Sequence, residues 1–347
     1  STTPTVEIAV PIEKADAGII ITASHNPREW NALKLLNNKG EFINAEDGEN
    51  LMSIADSNPS FDENINLGSV TFNDSYIDTH IDSILKLPFI DSESIKRRKF
   101  KVVVDAVNST GGIAIPKLLE RLGVETVKLY CDPTGEFPHN PEPLKENLSD
   151  LSKLVVNQAA DLGIVVDPDV DRLAFVCEDG EVFGEEYTLV ACADYYLKHN
   201  PGNTVSNLSS SRALKDVSGL NGCNHFFSAV GEVNVVELMK KKNAVIGGEG
   251  NGGIILPDLH YGRDALVGIA LFLSHLANLN ISCSQLRSKY PSYFMSKDKI
   301  MLDKTVNVDK IINEISKKYS DQEINNQDGL KIDFENSWVQ LRKSLSL

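Results

Sequence analysis

Hydrophobic and polar residues alternate in short blocks along the chain, and residues 18–36 show this arrangement most clearly. The block opens with GIII, a β-branched run typical of a strand that is covered on both faces. The segment TASHNP at 22–27 then stops the strand, because proline and small polar residues favour turns. Trp30, Leu33 and Leu36 follow at helical spacing, which predicts a helix.

The turn between these two elements is the first candidate for chemistry. Ser24 and His25 should project from the carboxyl end of a strand in an α/β sheet, the edge at which such folds bind ligands. A hydroxyl next to an imidazole can act as a nucleophile. Alternatively, Ser24 and Asn26 only shape the turn or cap the helix. The segment alone leaves both interpretations open.

The same succession of strands and helices continues through the rest of the chain. Short apolar runs predict strands at 101–105, 125–130, 162–166, 204–207, near 226, at 244–247 and at 338–341. Helical spacing of apolar residues predicts helices at 5–16, 76–87, 113–122, 148–158, 186–198, 233–241, 266–276 and 308–319. Strands that alternate with helices indicate βαβ units and therefore an α/β protein.

Local composition divides the chain into domains. A length of 347 residues suggests two to four compact units, at about 150 residues per domain. A segment rich in Asn, Asp, Ser and Gly ends near Ser75 and marks the first boundary. We predict four domains, at 1–75, 76–183, 184–296 and 297–347.

Bulk composition excludes several classes of function. With 41% hydrophobic residues the chain can bury several cores, and no apolar run approaches the roughly 18–20 residues that cross a bilayer. The net charge of −15 argues against protein-wide attraction to nucleic acid or acidic membranes. The five cysteines are widely spaced and lack a C-x-x-C pair, a pattern typical of reduced thiols. We therefore expect a cytoplasmic protein that binds neither nucleic acid nor membranes.

Three aspartates follow the predicted strand 162–166 at alternate positions. Asp167, Asp169 and Asp171 can converge from a tight loop on one hard cation, and Mg²⁺ prefers such oxygen ligands. A solvated turn is the simpler alternative. A haloacid-dehalogenase nucleophile loop also places D-x-D after an apolar strand, but it would have Thr or Val at the position of Asp171.

Together, the segments TASHNP at 22–27 and DPDVDR at 167–172 resemble the α-D-phosphohexomutase superfamily, which includes phosphoglucomutase/phosphomannomutase and phosphoglucosamine mutase. The resemblance implies that Ser24 is carried as phosphoserine, and that the three aspartates hold Mg²⁺ together with an oxygen of Ser24. Arg172 matches an arginine that touches the serine phosphate. Lys34 matches a lysine ten positions beyond the serine.

A glycine-rich run at 248–253, GEGNGG, is a weak signal by itself, because ordinary turns and G-x-G-x-x-G loops have similar sequences. The apolar segment 254–257 follows instead of a helix, so the run does not fit a dinucleotide-binding loop. It is similar to the family's sugar-recognition loop, in which Glu249 and Asn251 would bond adjacent sugar hydroxyls. The glycines let the loop backbone approach a ligand closely.

Proton transfer has several candidates. The resemblance makes His25 and Lys34 candidate proton carriers beside the phosphoserine. Family members that end the sugar motif in histidine have a possible base there, whereas this chain has Gly253. His260 and Arg263 are alternatives for that role, and Arg263 is also a candidate substrate-binding residue.

The end of the sequence resembles the opening of the family's phosphate-clamp loop. Arg342 and Ser344 match its first positions, which implies that they bind substrate, but 345–347 replace the rest of the motif. The resemblance covers the whole chain. The start of the first domain and most of the fourth are expected to lie outside this sequence.

The resemblance implies a multidomain α/β fold, with three related α/β domains with mixed sheets around a central cleft and the start of a fourth α+β domain. The implied activity interconverts 6-phospho and 1-phospho forms of an α-D-hexose through phosphoserine and a bisphosphorylated sugar. Mg²⁺ is the implied metal, and hexose 1,6-bisphosphate the activator or intermediate. Sugar phosphates are the implied partners of a monomer or homodimer. A metal-dependent sugar phosphatase and a non-catalytic sugar-phosphate-binding remnant are the alternatives.

Overall fold

The computed structural model describes residues 1–24, 26, 29–57, 59–60, 68–303 and 306–343. These residues form twelve α-helices, one short 3₁₀ helix and thirteen strands in four sheets. None of the described helices combines the length and the apolar composition that crossing a membrane requires. Each sheet falls within one of the four predicted domain ranges, and the domain boundaries themselves stay a prediction.

The first unit contains a two-stranded antiparallel sheet whose strands lie between two helices in chain order. Its elements are α1 (Thr3–Glu13), β1 (Gly18–Thr22), β2 (Ala32–Leu36) and α2 (Ala45–Asp56). The helix α1 begins where Thr2 caps the backbone N–H of Thr5, with Pro4 in its first turn. The helix α2 was not predicted from the sequence.

The prediction of a helix after the serine turn was wrong. Residues 32–36 form the strand β2, in which Lys34 pairs with Ile20 of β1. Apolar residues at every third position suggested a helix. Instead, pairing with β1 satisfies the backbone hydrogen bonds of this segment, and local spacing does not reveal that partner. The expectation that β1 is covered on both faces was also wrong, since Ile20 is buried while Ile19 and Ile21 are 63% and 73% exposed.

The second unit is an α/β sheet whose last strand reverses direction. Its strands are β3 (Lys101–Asp105), β4 (Glu125–Leu129), β5 (Leu162–Val166) and β6 (Leu173–Cys177). Its helices are α3 (Tyr76–Leu85), α4 (Ser92–Arg98), α5 (Gly111–Arg121) and α6 (Ser149–Asn157), with the 3₁₀ helix at Lys145–Asn147. The strand order is β4-β3-β5-β6, and only β6 is antiparallel. The aspartate segment is therefore the tight connection between β5 and β6.

The third unit repeats this topology. Its strands are β7 (Asn203–Asn207), β8 (His225–Ser228), β9 (Ala244–Glu249) and β10 (Gly253–Ile255). Its helices are α7 (Glu185–His199), α8 (Ala213–Leu220), α9 (Glu232–Lys242), α10 (Ala265–Leu279) and α11 (Cys283–Arg287). The order is β10-β9-β7-β8, with β10 antiparallel to β9. The glycine-rich segment is thus the counterpart of the aspartate segment.

The second and third units share one apolar core. Phe175 of β6 stacks on Phe272 of α10 with 3.8 Å between ring centroids, and Phe183 meets Phe272 edge-on at 5.0 Å. All three rings are fully buried. Because protein interiors are packed as densely as organic crystals, such a core holds the two sheets at a fixed separation.

The fourth unit is a small antiparallel sheet with one helix. It comprises α12 (Val308–Lys318), β11 (Glu323–Asn325), β12 (Leu330–Asp333) and β13 (Trp338–Leu341). It meets the third unit through hydrogen bonds: Arg212 donates to Asp333 at 3.0 Å, and buried Lys331 donates to the carbonyl oxygen of Leu208 at 3.0 Å. The strand β13 has the predicted bounds.

The packing of α5 on the backbone after β4 gives a test of the fold. A Cβ atom at Gly112 would lie 2.1 Å from the carbonyl oxygen of Cys131, so we expect Gly112→Ala to lower the free energy of unfolding by about 1–3 kcal/mol. At Gly219 in α8 a Cβ atom meets nothing within 4 Å, so Gly219→Ala should be neutral or stabilising by up to about 1 kcal/mol. Urea unfolding measures both, and equal midpoints would contradict this packing.

Candidate active site

The three aspartates lie in one tight buried loop, which we call the metal loop (residues 167–172). Asp167, Asp169 and Asp171 are 0%, 4% and 0% exposed, and one carboxylate oxygen of each lies within 4.8 Å of those of the other two. Val170 has φ +67°, which turns the chain back sharply. The backbone N–H groups of Asp171 and Arg172 both donate to Asp167 at 3.1 Å.

The metal loop offers three oxygens for a cation. Among the described residues, Asp167 Oδ2, Asp169 Oδ1 and Asp171 Oδ1 are buried without a hydrogen-bond partner. Buried polar atoms are normally paired, so three such oxygens within reach of each other suggest a missing ligand. Hard divalent cations such as Mg²⁺ prefer carboxylate oxygens, and the residues fit that group.

Two cations balance part of this charge. Lys34 on β2 donates from Nζ to Asp169 at 2.7 Å and to Asp171 at 2.8 Å, and Arg263 Nη2 donates to Asp171 at 2.7 Å. Burial raises the pKa of Asp167, and the charges of Asp171 and Asp169 raise it further. Burial also acts to raise the pKa of Asp171, but Arg263 and Lys34 lower it below its usual range.

Lys34 is held in its charged form. Burial would lower its pKa, but the carboxylates of Asp171 and Asp169 outweigh burial and raise it. As arranged here, Lys34 therefore neutralises the metal loop and donates hydrogen bonds. Its role as a proton carrier stays a prediction.

The serine turn follows β1 directly. Ser24 has φ +50°, and its N–H donates to Thr22 Oγ1 at 2.8 Å. The N–H of Asn26 donates to the carbonyl oxygen of Ala23 at 3.1 Å, which closes the turn. His25 lies outside the described residues.

Arg172 at the end of the metal loop pairs with Glu142, in the segment 131–143 that contains four prolines. Its Nη1 donates to Glu142 Oε1 at 2.9 Å, and the residue is buried. The arginine is thus held at the loop where the resemblance expects it, and its contact with a serine phosphate stays a prediction.

The glycine-rich segment forms a second loop between β9 and β10, here named the sugar loop (residues 249–253) after the role that the resemblance implies. Glu249 is buried and accepts hydrogen bonds from Asn207 Nδ2 at 2.9 Å and from the N–H of Gly231 at 3.2 Å. Asn251 Nδ2 donates to Glu249 Oε2 at 3.5 Å, and Asn251 Oδ1 accepts from the N–H of Gly253 at 3.2 Å. The Glu249 carboxylate and the Asn251 amide thus face each other.

The sugar loop packs directly on the start of β6, next to the metal loop. The N–H of Leu173 donates to the carbonyl oxygen of Gly252 at 3.2 Å. Gly252 has φ +86°, and a Cβ atom there would lie 2.1 Å from the carbonyl oxygen of Leu173. Only glycine permits both the backbone conformation and this approach.

Arg263 links the two loops. Its Nη2 contacts Asp171 of the metal loop at 2.7 Å, and its Nη1 contacts Glu249 of the sugar loop at 3.0 Å. Its Nε donates to Glu232 at 2.9 Å. The sequence indicated Arg263 as a binding residue, but not this bridging position.

Sequence reasoning missed Glu232 and Thr3. An acidic residue in the first turn of a helix is common, so Glu232 at the start of α9 carried no functional signal. Burial raises the pKa of Glu232 to about 8, although Arg263 acts to lower it. Thr3 of α1 donates from Oγ1 to Asp169 Oδ2 at 2.7 Å, a contact between residues 166 positions apart.

A cleft of 770 Å³ opens between the first and third units beside Lys34 and Arg263. Phe42 and Glu232 also line it. Ligand pockets for small molecules span about 300–1,000 Å³. The cleft is therefore large enough for a sugar phosphate next to both cations.

Family models cover most of this chain. The model for phosphoglucomutase/phosphomannomutase alpha/beta/alpha domain I matches residues 1–61, that for domain II residues 74–180, and that for domain III residues 184–293. The chain belongs to the α-D-phosphohexomutase superfamily. This finding confirms the resemblance, and it makes the chain an enzyme of the mutase type, an isomerase that transfers phosphate within its substrate.

Named relatives resemble this phosphohexomutase along almost its whole length. A phosphoglucomutase/phosphomannomutase of Thermococcus kodakarensis is 34% identical, with 99% of this chain and 75% of the relative covered. A probable phosphoglucosamine mutase of Methanopyrus kandleri is 30% identical with the same coverage of both chains. A phosphoglucosamine/phosphogalactosamine mutase of Sulfurisphaera tokodaii is 30% identical, with 99% and 76% covered.

Solved structures agree with the fold. A phosphoglucomutase/phosphomannomutase family protein of Burkholderia thailandensis superposes with a TM-score of 0.78 at 26% identity, covering 95% of this chain and 70% of that one. A putative phosphomannomutase from Thermus thermophilus gives a TM-score of 0.81 at 20% identity, over 99% and 76% of the two chains. The predicted fold class of three α/β domains and a further small domain is confirmed.

The fourth unit of this phosphohexomutase carries the two residues that the resemblance assigns to the phosphate-clamp loop, Arg342 and Ser344. Arg342 is about half exposed and lies 4.0 Å from Asp328 of its own unit. Ser344 lies outside the described residues. Substrate binding by these two residues stays a prediction.

The unpaired oxygens of the metal loop predict a loss of metal binding in Asp169→Asn. An amide removes one charge and presents an NH₂ group that cannot coordinate, so we expect Mg²⁺ affinity to fall on the order of tenfold or more. The control is Asp161→Asn, because Asp161 precedes β5 at the opposite edge of the same sheet and accepts from the N–H of Lys101. Calorimetric titration with Mg²⁺ measures both, and equal affinities would refute the metal loop.

The sugar loop predicts weaker sugar binding in Glu249→Gln. The amide keeps the shape but removes the charge opposite Arg263, so we expect affinity for a hexose phosphate to fall by about 1–3 kcal/mol. Glu178→Gln is the control, because Glu178 pairs with Ser284 on α11 instead. Isothermal titration with glucosamine 6-phosphate measures binding without turnover. An unchanged isotherm for Glu249→Gln would remove Glu249 from sugar recognition.

Proposed function

We propose that this chain moves phosphate between O6 and O1 of an α-D-hexose phosphate, with Ser24 as the covalent phosphate carrier. The observation that carries the proposal is the set of three unpaired buried oxygens at the metal loop. Lys34 bonds the other oxygens of two of these carboxylates, Asp169 Oδ2 and Asp171 Oδ2. Lys34 lies on β2, the strand that follows the serine turn, so the two sequence motifs belong to one connected region.

The metal loop supports a metal-assisted transfer. Asp167, Asp169 and Asp171 would hold Mg²⁺, which when bound neutralises and orients transferring phosphoryl oxygens. The chain supplies further positive charge itself, since Lys34 pairs with Asp169 and Asp171, and Arg263 pairs with Asp171. Arg172 is the further cation that could meet a serine phosphate.

Each half-reaction exchanges one oxygen–phosphorus bond for another. The bond between Ser24 Oγ and phosphorus breaks as a substrate hydroxyl oxygen bonds to the phosphorus. The hydroxyl proton passes to a base, and Ser24 Oγ takes up a proton as it leaves. His25 and Lys34 are the candidate proton carriers. The resulting hexose 1,6-bisphosphate reorients and returns its other phosphate to Ser24, so the same bisphosphate can prime an unphosphorylated enzyme.

Glu249 and Asn251 are proposed to read the sugar hydroxyls. Both belong to a loop that presents acceptors and an amide, which suits vicinal hydroxyls better than an anion. Because several relatives carry the name phosphoglucosamine mutase, glucosamine 6-phosphate is the first substrate to compare with mannose 6-phosphate and glucose 1-phosphate. We also propose a cytoplasmic location, supported by five free cysteines and sugar phosphate substrates.

The covalent carrier gives the decisive test. Protein incubated with glucose 1,6-bisphosphate should gain the mass of one phosphate by intact-mass spectrometry, and Ser24→Ala should not. Mutase turnover of Ser24→Ala should fall by several orders of magnitude, because no other hydroxyl is proposed to accept the phosphate.

Three outcomes would contradict this assignment. A mass gain that persists in Ser24→Ala would place the phosphate elsewhere. Release of inorganic phosphate without isomerised sugar would favour a metal-dependent sugar phosphatase. Binding of sugar phosphates without any turnover would favour a non-catalytic remnant.

A further inference from the structure

The helix α1 turns a polar face toward the second and third units. Thr3, Thr5 and Glu7 are each at most 1% exposed, although polar side chains are seldom fully buried. Thr3 contacts the metal loop, as described above. Thr5 Oγ1 lies 3.0 Å from His80 Nδ1, and Glu7 Oε2 lies 3.0 Å from His260 Nδ1.

Asp264 joins the two histidines. Its Oδ2 lies 2.8 Å from His80 Nε2 and 3.3 Å from His260 Nε2. Its Oδ1 accepts from the N–H groups of Leu266 and Val267 and caps α10. The contacts run without interruption from Glu7 through His260, Asp264 and His80 to Thr5, and we call these five residues the His260 network.

His260 carries a positive charge within this network. Its Nε2 is hydrogen-bonded to Asp264, and its Nδ1 lies at ion-pair distance from Glu7, so the ring sits between two carboxylates that favour the imidazolium. Burial would lower the pKa of His260, but the carboxylates of Asp264 and Glu7 outweigh burial and raise the pKa to about 10. The charge is therefore present at neutral pH and balances one of the two buried carboxylates.

The His260 network lies next to Arg263, the residue that links the metal and sugar loops. Arg263 stands between Gly262 and Asp264, and its N–H donates to Glu232 at 3.1 Å. A Cβ atom at Gly262 would lie 1.6 Å from Glu7 Oε2, so the backbone before Arg263 packs directly on the Glu7 carboxylate. The backbone of Arg263 is thus fixed from both sides.

We propose that His260 is a positioning residue for the transfer reaction: by pairing with Glu7 and Asp264 it fixes Arg263, and through Arg263 the separation of the metal loop from the sugar loop. The inference rests on the proposed function, since that function assigns roles to the two loops. The guanidinium must meet Asp171, Glu232 and Glu249 at once, so a small backbone shift breaks at least one contact. Such shifts near reacting groups are costly to the rate.

The test compares two buried histidines in intact protein. We expect His260→Gln to lower kcat/KM on the order of tenfold, measured with the hexose phosphate that turns over best. Mutations of residues that support the direct ligands of a site typically have effects of this size. The control is His275→Gln, because His275 is buried in α10 and bonds the carbonyl oxygen of Ala191 at 3.0 Å, away from both loops. An equal loss of activity in the two variants would overturn the proposal.

A second comparison, made in an Arg263→Lys variant, distinguishes a positioning role of His260 from general destabilisation of the protein. In Arg263→Lys protein, whose lysine cannot bridge three carboxylates, adding His260→Gln should change kcat/KM by no more than about twofold, because residues that act through one another are not additive. A full tenfold loss in that background would show that His260 acts independently of Arg263. Should His260→Gln not fold, Glu7→Gln takes its place in both backgrounds.

Metal content and wild-type turnover complete the test. The ligand atoms of His80, His260 and Asp264 lie within 4.8 Å of one another, so elemental analysis of the wild type is required. If the wild type contains one zinc ion per chain and His260→Gln contains none, these residues form a metal site and the proposal is wrong. Wild-type protein without mutase turnover would refute the proposed function, whereas an active wild type with a fully active His260→Gln would refute only this inference.

Discussion

The close approach of buried carboxylates is the constraint on which the site depends. Acids from the metal loop, the sugar loop and α9 meet at Arg263, which pairs with Asp171, Glu232 and Glu249 together. Removing one partner of a buried ion pair leaves an uncompensated charge, which typically costs about 3–5 kcal/mol. The positions of the two loops and the burial of the Arg263 charge therefore depend on each other.

The repeated sheet topology explains why two loops with different chemistry lie side by side. In both the second and third units the final strand is antiparallel, so the connection before it is short and stays at the sheet edge. The hydrogen bond from Leu173 to Gly252 joins one connection to the other. The two loops to which we assign phosphate transfer and sugar recognition thus come together through a duplicated architectural unit.

Local sequence patterns predicted the elements whose determinants are local. The aspartate loop and the glycine-rich loop were found because strand, turn residues and functional side chains follow one another in sequence. The strand at 32–36 was predicted as a helix, because its pairing partner decides its structure and apolar spacing does not.

The missed site residues show the same limit. Thr3 and Glu232 gained importance only from contacts across long sequence separations, which no periodicity reports. The network around His260 joins three units, so its histidines carried no common signal in sequence. His260 itself was considered as a source of protons, and its place between two carboxylates was not foreseen.

The two kinds of contact between units have different mechanical consequences. The stacked rings of Phe175 and Phe272 belong to a continuous apolar core shared by the second and third units, so separating these units would expose apolar surface. The fourth unit is attached through hydrogen bonds such as those of Arg212 and Lys331, which water can replace. Relative movement between units therefore costs least at the fourth unit, while the shared core keeps the metal loop and the sugar loop in register.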